Sequence, residues 1–175
     1  MKRDVFLWQF AGFVFATTLG TLLHFLFEWT GLISLAPIAA VNESTWEHMK
    51  ILFFPMLIFA YIQARFFKAD YGNFWWIKLL GICVSVMSIP IFFYTYSGAF
   101  GKTPDWLNIV FFFLSAGIGY LLEGLLLRQR QNAHGAFIAV IALISIAATF
   151  AAFTFFPPHL PLFQDPITGG YAIVN

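Results

Sequence analysis

Long apolar segments alternate with short polar connections along this chain, and this pattern predicts its architecture. A helix needs about 20 largely apolar residues to cross a bilayer. Five segments meet that requirement, namely residues 5–28, 46–66, 74–96, 105–127 and 135–156. The pattern therefore predicts an all-α integral membrane protein, a bundle of five transmembrane helices that forms a single domain over residues 1–175.

Two further segments are apolar but do not have the pattern of a span. Residues 29–44 are broken by Gly31 and Pro37 and are too short to cross. Irregular backbone exposed to lipid leaves its polar groups unpaired, so this segment must lie at the interface or be covered by protein. The tail, residues 157–175, is rich in Pro and Gly yet too apolar for a disordered end. We expect it to fold over the outer face of the bundle.

The composition agrees with a location in the bilayer. The chain is 61% hydrophobic and 10% charged, whereas a soluble domain is nearer half apolar and one quarter charged. Its mean hydropathy is +0.82. The bilayer is therefore an expected partner, while a net charge of +1 gives no basis for binding nucleic acid.

The distribution of basic residues predicts the orientation, because cytoplasmic connections carry an excess of Lys and Arg. With the N-terminus inside and the C-terminus outside, Lys50 and Lys102 lie on the outer side. The cytoplasmic segments then hold Lys2, Arg3, Arg65, Lys68, Arg128 and Arg130. We predict a multi-pass protein of the inner (cytoplasmic) membrane.

Ionisable side chains collect at the predicted outer end of the bundle. A charged side chain near the bilayer centre costs about 2.5–3.5 kcal/mol on insertion scales, so such groups are rare without a partner or a function. The residues that we predict to line a ligand-binding site here are His24, Glu28, Asn42, Glu43, Glu47, His48, Lys50, His159 and Asp165.

A divalent cation is one ligand that these groups could hold, since carboxylates with imidazoles bind zinc, manganese or iron. Residues four apart on a helix present two donors together. This spacing predicts a metal set of His24 and Glu28 with Glu43 and Glu47. Glu47 and His48 are adjacent and about 100° apart on a helix, so they cannot easily share one ion.

A proton-responsive carboxylate–imidazole cluster and a purely structural network are two further interpretations of the same residues that stay open. Ser44 and Glu47 have the spacing of a capping box, in which side chains bond the free amides of the first helical turn. Glu47 and Lys50 are three residues apart and could form an ion pair. In that case the polar cluster would only hold the loop and the tail against the bundle.

A second pair of charges lies towards the predicted cytoplasmic side. Lys78 on the third span and Glu123 on the fourth come to similar depth if these helices are antiparallel. Either charge alone would be costly in the membrane. We predict a buried ion pair between them.

Three stretches of the chain, "HFLFEWTG", "PIAAVNESTWEHMKILFFP" and "PPHLPLFQDPITGGYAI", resemble a family of small bacterial and archaeal multi-pass membrane proteins. That family is known as a domain of unknown function. The resemblance implies a membrane protein whose characteristic residues are those of the outer polar cluster. It implies no substrate and no reaction.

Three function classes are consistent with the residues. The first is an outward-facing carboxylate–imidazole site that binds a cation or a small polar ligand, with transport as one use of it. The second is a membrane-embedded, metal-dependent hydrolase that acts on a lipid-type substrate at the outer interface, with three protein ligands and an open position on the metal. The third is a structural or accessory subunit that works with a protein partner.

Overall fold

A computed structural model describes residues 5–67, 72–129, 135–171 and 173. Five α-helices account for most of this part of the chain: α1 (Val5–Thr30), α2 (Thr45–Phe67), α3 (Phe74–Phe100), α4 (Asp105–Leu127) and α5 (Ala136–Phe155). Two short 3₁₀ turns, Ile33–Leu35 and Pro161–Phe163, lie in the loop after α1 and in the tail. The described residues contain no strand, so the prediction of an all-α fold is confirmed.

Helices α1 to α4 form a ring in which each packs on its two neighbours, and α5 lies outside it against α2 and α3. The ring encloses an apolar core with large side chains such as Phe53, Met56, Phe59 and Ile82. α2 contributes most to this core, as expected of the helix that contacts α1, α3 and α5.

All five helices are long and apolar enough to cross a membrane. Their outer faces carry large exposed hydrophobic side chains, including Phe10, Met87, Leu121 and Ile144. A water-soluble monomer rarely exposes such continuous apolar surface, and here lipid covers it. The protein is a multi-pass membrane protein. Four of the basic residues behind the predicted orientation, Lys2, Arg3, Lys68 and Arg130, lie outside the described residues, so the orientation stays a prediction.

Small residues form a close helix–helix contact between α3 and α4. The Ser85 hydroxyl donates a hydrogen bond of 2.6 Å to the carbonyl of Ser115. A Cβ atom on Gly119 would lie 2.8 Å from the carbonyl oxygen of Gly81 and 2.8 Å from Ser85 Cβ. Small side chains let membrane helices approach closely, and at Gly119 the nearest neighbour is backbone that cannot rotate away.

We therefore expect Gly119→Ala to lower the free energy of unfolding in detergent by about 1–3 kcal/mol, the usual cost of overpacking. Gly117→Ala is the matched control on the same helix. Its Cβ would meet only Phe13, at an ordinary 3.9 Å, so the gain in helix propensity is not offset by a clash. Equal stability of the two variants, measured by thermal or SDS unfolding, would contradict the close contact.

The Lys78 ammonium and the Glu123 carboxylate form a salt bridge between α3 and α4, and both side chains are almost fully buried. The Tyr120 hydroxyl, and the amides of Gln9 and Gln63, are buried in the same half of the bundle without a hydrogen-bond partner among the described residues. This half of the core is therefore polar at its centre, whereas the apolar core cluster fills the space around it.

The loop after α1 and the tail cover the other end of the bundle. α1 ends where Gly31 adopts a φ of 61°, which favours glycine, and its N–H bonds to the carbonyl of Phe27. In the tail, the Phe163 ring packs 4.6 Å from the ring of Trp46 and 5.6 Å from that of Phe153. The tail thus folds back on the end formed by the start of α2 and the end of α5.

Candidate metal centre

Three side chains meet at the end of the bundle that the loop and the tail cover. They are His24 from α1, Glu43 from the loop and His48 from the first turn of α2. One donor atom from each lies within 4.8 Å of the other two. Glu43 Oε2 is 3.7 Å from His24 Nε2 and 3.7 Å from His48 Nε2.

A backbone contact fixes the direction in which His48 presents its ring. His48 Nδ1 lies 2.9 Å from the carbonyl oxygen of Ser44. A carbonyl oxygen only accepts hydrogen bonds, so Nδ1 carries the proton and the lone pair of the neutral ring is on Nε2. Metal-ligating histidines typically donate the other ring N–H in this way. Nε2 is therefore oriented towards Glu43 with its lone pair available.

These donor atoms are spaced somewhat more widely than the ligand atoms of a filled metal shell. Bonds of about 2.0–2.1 Å in a tetrahedral site put ligand atoms about 3.3–3.4 Å apart. The two distances of 3.7 Å exceed that value by a few tenths of an ångström, and both are too long for a direct hydrogen bond. The three side chains are partly exposed, with Glu43 at 41%, so small movements can bring them together around an ion.

Two cavities meet at this cluster, and both are lined by Glu43, His48, Asn108, Phe112 and Ile167. The larger, of about 500 Å³, extends between α2, α3 and α4 towards Ser97, Lys102 and Thr103. We call it the polar cavity. The smaller, of about 420 Å³, extends between α1 and α4 past Thr21, Phe25, Ile109 and Phe113. We call it the lateral cavity.

Two polar atoms on the cavity walls have no hydrogen-bond partner among the described residues. They are Asn108 Oδ1, where both cavities meet, and Thr103 Oγ1 in the polar cavity. Thr103 is buried to 4% exposure. Buried polar groups are normally paired with protein, water or ligand. These two atoms therefore mark places where a bound molecule or water can form hydrogen bonds.

The structure brings together a different set of side chains from the predicted metal set. Glu28 lies exposed near the end of α1 and does not belong to the three-residue cluster. Glu47 points to a different side of α2 from His48, where its carboxylate pairs with Lys50 at 2.5 Å. His48 takes the place of these two glutamates. The spacing did not indicate this grouping because α2 begins at Thr45, so Glu43 precedes the helix and shares no helical face with Glu47.

Glu47 and Lys50 instead form a buried link between three parts of the chain. The Lys50 ammonium donates 2.8 Å hydrogen bonds to the carbonyl of Ala36 in the loop and to Thr154 Oγ1 on α5. Glu47 Oε2 also accepts a bond of 3.0 Å from the N–H of Val41. Both side chains are almost fully buried. This arrangement corresponds to the structural alternative, in which polar groups hold the loop against the bundle.

The remaining predicted residues also have local partners. Asn42 Oδ1 accepts a hydrogen bond from the N–H of Ser44 at the start of α2. The His159 ring is exposed and stands edge-on to Tyr171 at 4.7 Å. The Asp165 carboxylate accepts bonds from the Ile167 amide and the Thr168 hydroxyl, closing a turn in the tail. None of these three side chains belongs to the three-residue cluster.

The sequence pattern identified His24, Glu43 and His48 on the cavity walls but not the other wall residues. Asn108 is a polar residue within an apolar helix, which was a usable signal. Lys102, Thr103 and Ile167 lie in the α3–α4 connection and the tail, where polar and irregular sequence is ordinary. Only the packing of the tail against the bundle places Ile167 beside the cluster.

A family model described as a family of unknown function (DUF6512) matches residues 2–173. No curated protein and no solved structure matched the chain.

Proposed function

The chain belongs to DUF6512, a family of unknown function, and we propose that it binds a divalent transition-metal ion through His24, Glu43 and His48. The convergence of two imidazoles and one carboxylate within 4.8 Å, from three separate elements, carries the proposal. The hydrogen bond from His48 Nδ1 to Ser44 supports it, because it directs the Nε2 lone pair into the cluster.

The donor types favour zinc, manganese or iron over calcium or magnesium, which prefer shells built from oxygen. Two histidines and one glutamate form a three-ligand set, and Asn108 is a further polar residue on the walls of both cavities. A metal held by three protein ligands keeps a position for water or substrate. With the N-terminus in the cytoplasm, the site would face the outer side of the inner membrane.

Hydrolysis is the second candidate function, and the two cavities beside the open position favour it. A bound metal would lower the pKa of its water and polarise a carbonyl or phosphoryl oxygen. Transport of the cation has less support, because the described core below the cluster is filled by apolar side chains such as Ile51, Leu52 and Phe53. A purely accessory role would leave the cluster without metal.

Purified protein, dialysed against zinc and then against buffer, should retain about one equivalent of metal per chain by elemental analysis. Glu43→Gln removes the anionic ligand, and we expect it to weaken zinc binding by about 100-fold or more. Replacing a residue that only supports a metal ligand already weakens binding by about 10–100-fold. Isothermal titration in detergent measures the affinity.

Glu28→Gln is the matched control, since Glu28 has the same side chain on an exposed position outside the cluster. It should bind zinc like the native protein. Equal loss in both variants, or no stoichiometric metal in the native protein, would overturn the proposal. Cobalt substitution adds a spectroscopic test, because a tetrahedral site with nitrogen and oxygen donors gives visible absorption bands that an adventitious surface ion does not.

A further inference from the structure

We infer that the occupant of the two cavities is an anionic lipid, with its acyl chain in the lateral cavity and its head group in the polar cavity beside the metal. The inference rests on the proposed metal site, because the head group would reach the open position on the ion. It names a substrate class that the three-residue cluster alone does not determine.

The first step concerns access from the bilayer. The lateral cavity lies between α1 and α4, and Phe25, Ile109 and Phe113 on its walls also contribute to the exposed outer surface of the bundle. Ile109, for example, is 59% exposed. Surface at this position faces lipid in a transmembrane bundle. A hydrocarbon chain can therefore enter sideways without crossing water.

The second step concerns the depth of the cavity. His24 lies six residues before the end of α1, and Ile109 and Phe113 lie in the first turns of α4. At 1.5 Å per residue, these positions are about 6–12 Å below the helix ends. This is the depth of the upper acyl chain and the head group–acyl boundary in one leaflet, where a lipid has its ester linkages.

The third step concerns the head group. The polar cavity is lined by the Lys102 ammonium and by Thr103 and Asn108, both of which carry polar atoms without partners among the described residues. The Thr103 hydroxyl can donate a hydrogen bond, and the Asn108 amide offers both a donor and an acceptor. Glu43 also lines this cavity and adds one negative charge, so with Lys102 and a divalent ion at the cluster the net charge around the cavity is positive. Phosphate or carboxylate is the chemistry that complements them.

The experiment uses the full chain, loaded with zinc, in phosphatidylcholine vesicles that contain a trace of phosphatidic acid with a diazirine in its acyl chain. After irradiation, peptide mapping compares labelling at Phe25, Ile109 and Phe113 with labelling at Phe155. Phe155 is also exposed to lipid, near the same end of the bundle, but on α5. We expect the cavity positions to be labelled preferentially, and more strongly than with a phosphatidylcholine probe.

Thr21→Phe should block the lateral cavity, since Thr21 lies on its wall and its hydroxyl bonds only to the carbonyl of Thr17 within α1. Preferential labelling should fall by about tenfold, because a single added methylene in an apolar pocket already changes discrimination by about tenfold or more. Leu22→Phe, on the exposed lipid face next to it and outside both cavity walls, should leave labelling unchanged. Lys102→Gln should reduce the preference for the anionic probe about twofold to fivefold.

Zinc stoichiometry, measured on the same samples, separates the two proposals. Native metal content with no labelling preference, or with equal preference in Thr21→Phe, would overturn the lipid proposal and leave the metal site standing. Inorganic phosphate is the competitor that tests for a free anion. If it displaces the probe equally from the native protein and from Thr21→Phe, the polar cavity takes free phosphate, and the lipid proposal is overturned too. Loss of zinc from native protein would instead overturn the proposed function.

Discussion

Replacing Lys50 by methionine should lower the free energy of unfolding by about 3–5 kcal/mol, the cost of removing one partner from a buried ion pair. Methionine fills a similar volume, so packing changes little. The Glu47 carboxylate would stay buried without its cation, and the Ala36 carbonyl and the Thr154 hydroxyl would each lose a hydrogen-bond donor. SDS titration of the protein in detergent micelles, followed by circular dichroism, measures the change.

The double variant Lys50→Met/Glu47→Gln tests the cause of this loss. Glutamine removes the negative charge but keeps an oxygen that can accept the hydrogen bond from the Val41 amide. We expect the double variant to be more stable than Lys50→Met alone. Lys102→Met is the control, because Lys102 is exposed at the same end of the bundle and surface substitutions usually change stability by less than about 0.5 kcal/mol. If Lys50→Met is as stable as this control, Lys50 does not hold the loop.

The Lys50 variant also bears on the metal site. The loop that Lys50 attaches to α2 and α5 carries Glu43, one of the three proposed ligands. Its release should expose the loop to protease and weaken zinc binding, even though Lys50 contacts no ligand atom. Binding that survives while the loop is cleaved would show that Glu43 is held by some other contact.

The second large effect is expected at the ion pair between α3 and α4. Lys78→Met and Glu123→Leu should each destabilise the protein by about 3–5 kcal/mol, because each leaves an uncompensated charge in a site that is almost fully buried. The double variant should recover most of this loss, since apolar residues of similar volume often replace a buried ion pair at no cost. Unfolding titrations of the four proteins form a double-mutant cycle.

Two outcomes distinguish a stabilising pair from a functional one. Additive losses in the double variant would mean that Lys78 and Glu123 act through other neighbours, such as the Tyr120 hydroxyl and the buried glutamines of that half. Zinc affinity is the second measurement, and it should be unchanged in all three variants, because the pair lies in the opposite half of the bundle from His24 and His48. A loss of zinc binding would reveal coupling between the two halves.

The pattern of polar and apolar residues along the chain predicted most of the fold. Five apolar stretches define five spans, because a backbone in lipid must pair its polar groups within a helix. The predicted span of residues 74–96 extends in the structure to Phe100, and the other boundaries differ by at most two residues. The sequence also indicated Lys78 and Glu123 as partners, because charges at equal depth in adjacent helices have few alternatives.

Which residues form the site was decided only by the tertiary structure. Glu43, Glu47 and His48 are close in sequence, yet Glu43 precedes α2, Glu47 faces the loop and Lys50, and His48 faces His24 on α1. Which of these side chains shares a pocket with His24 depends on where the helix begins and how it is rotated against its neighbours. The cavities depend further on where the tail comes to rest. Hydrophobic burial fixes that rotation and that docking through contacts distant in sequence, which local spacing does not specify.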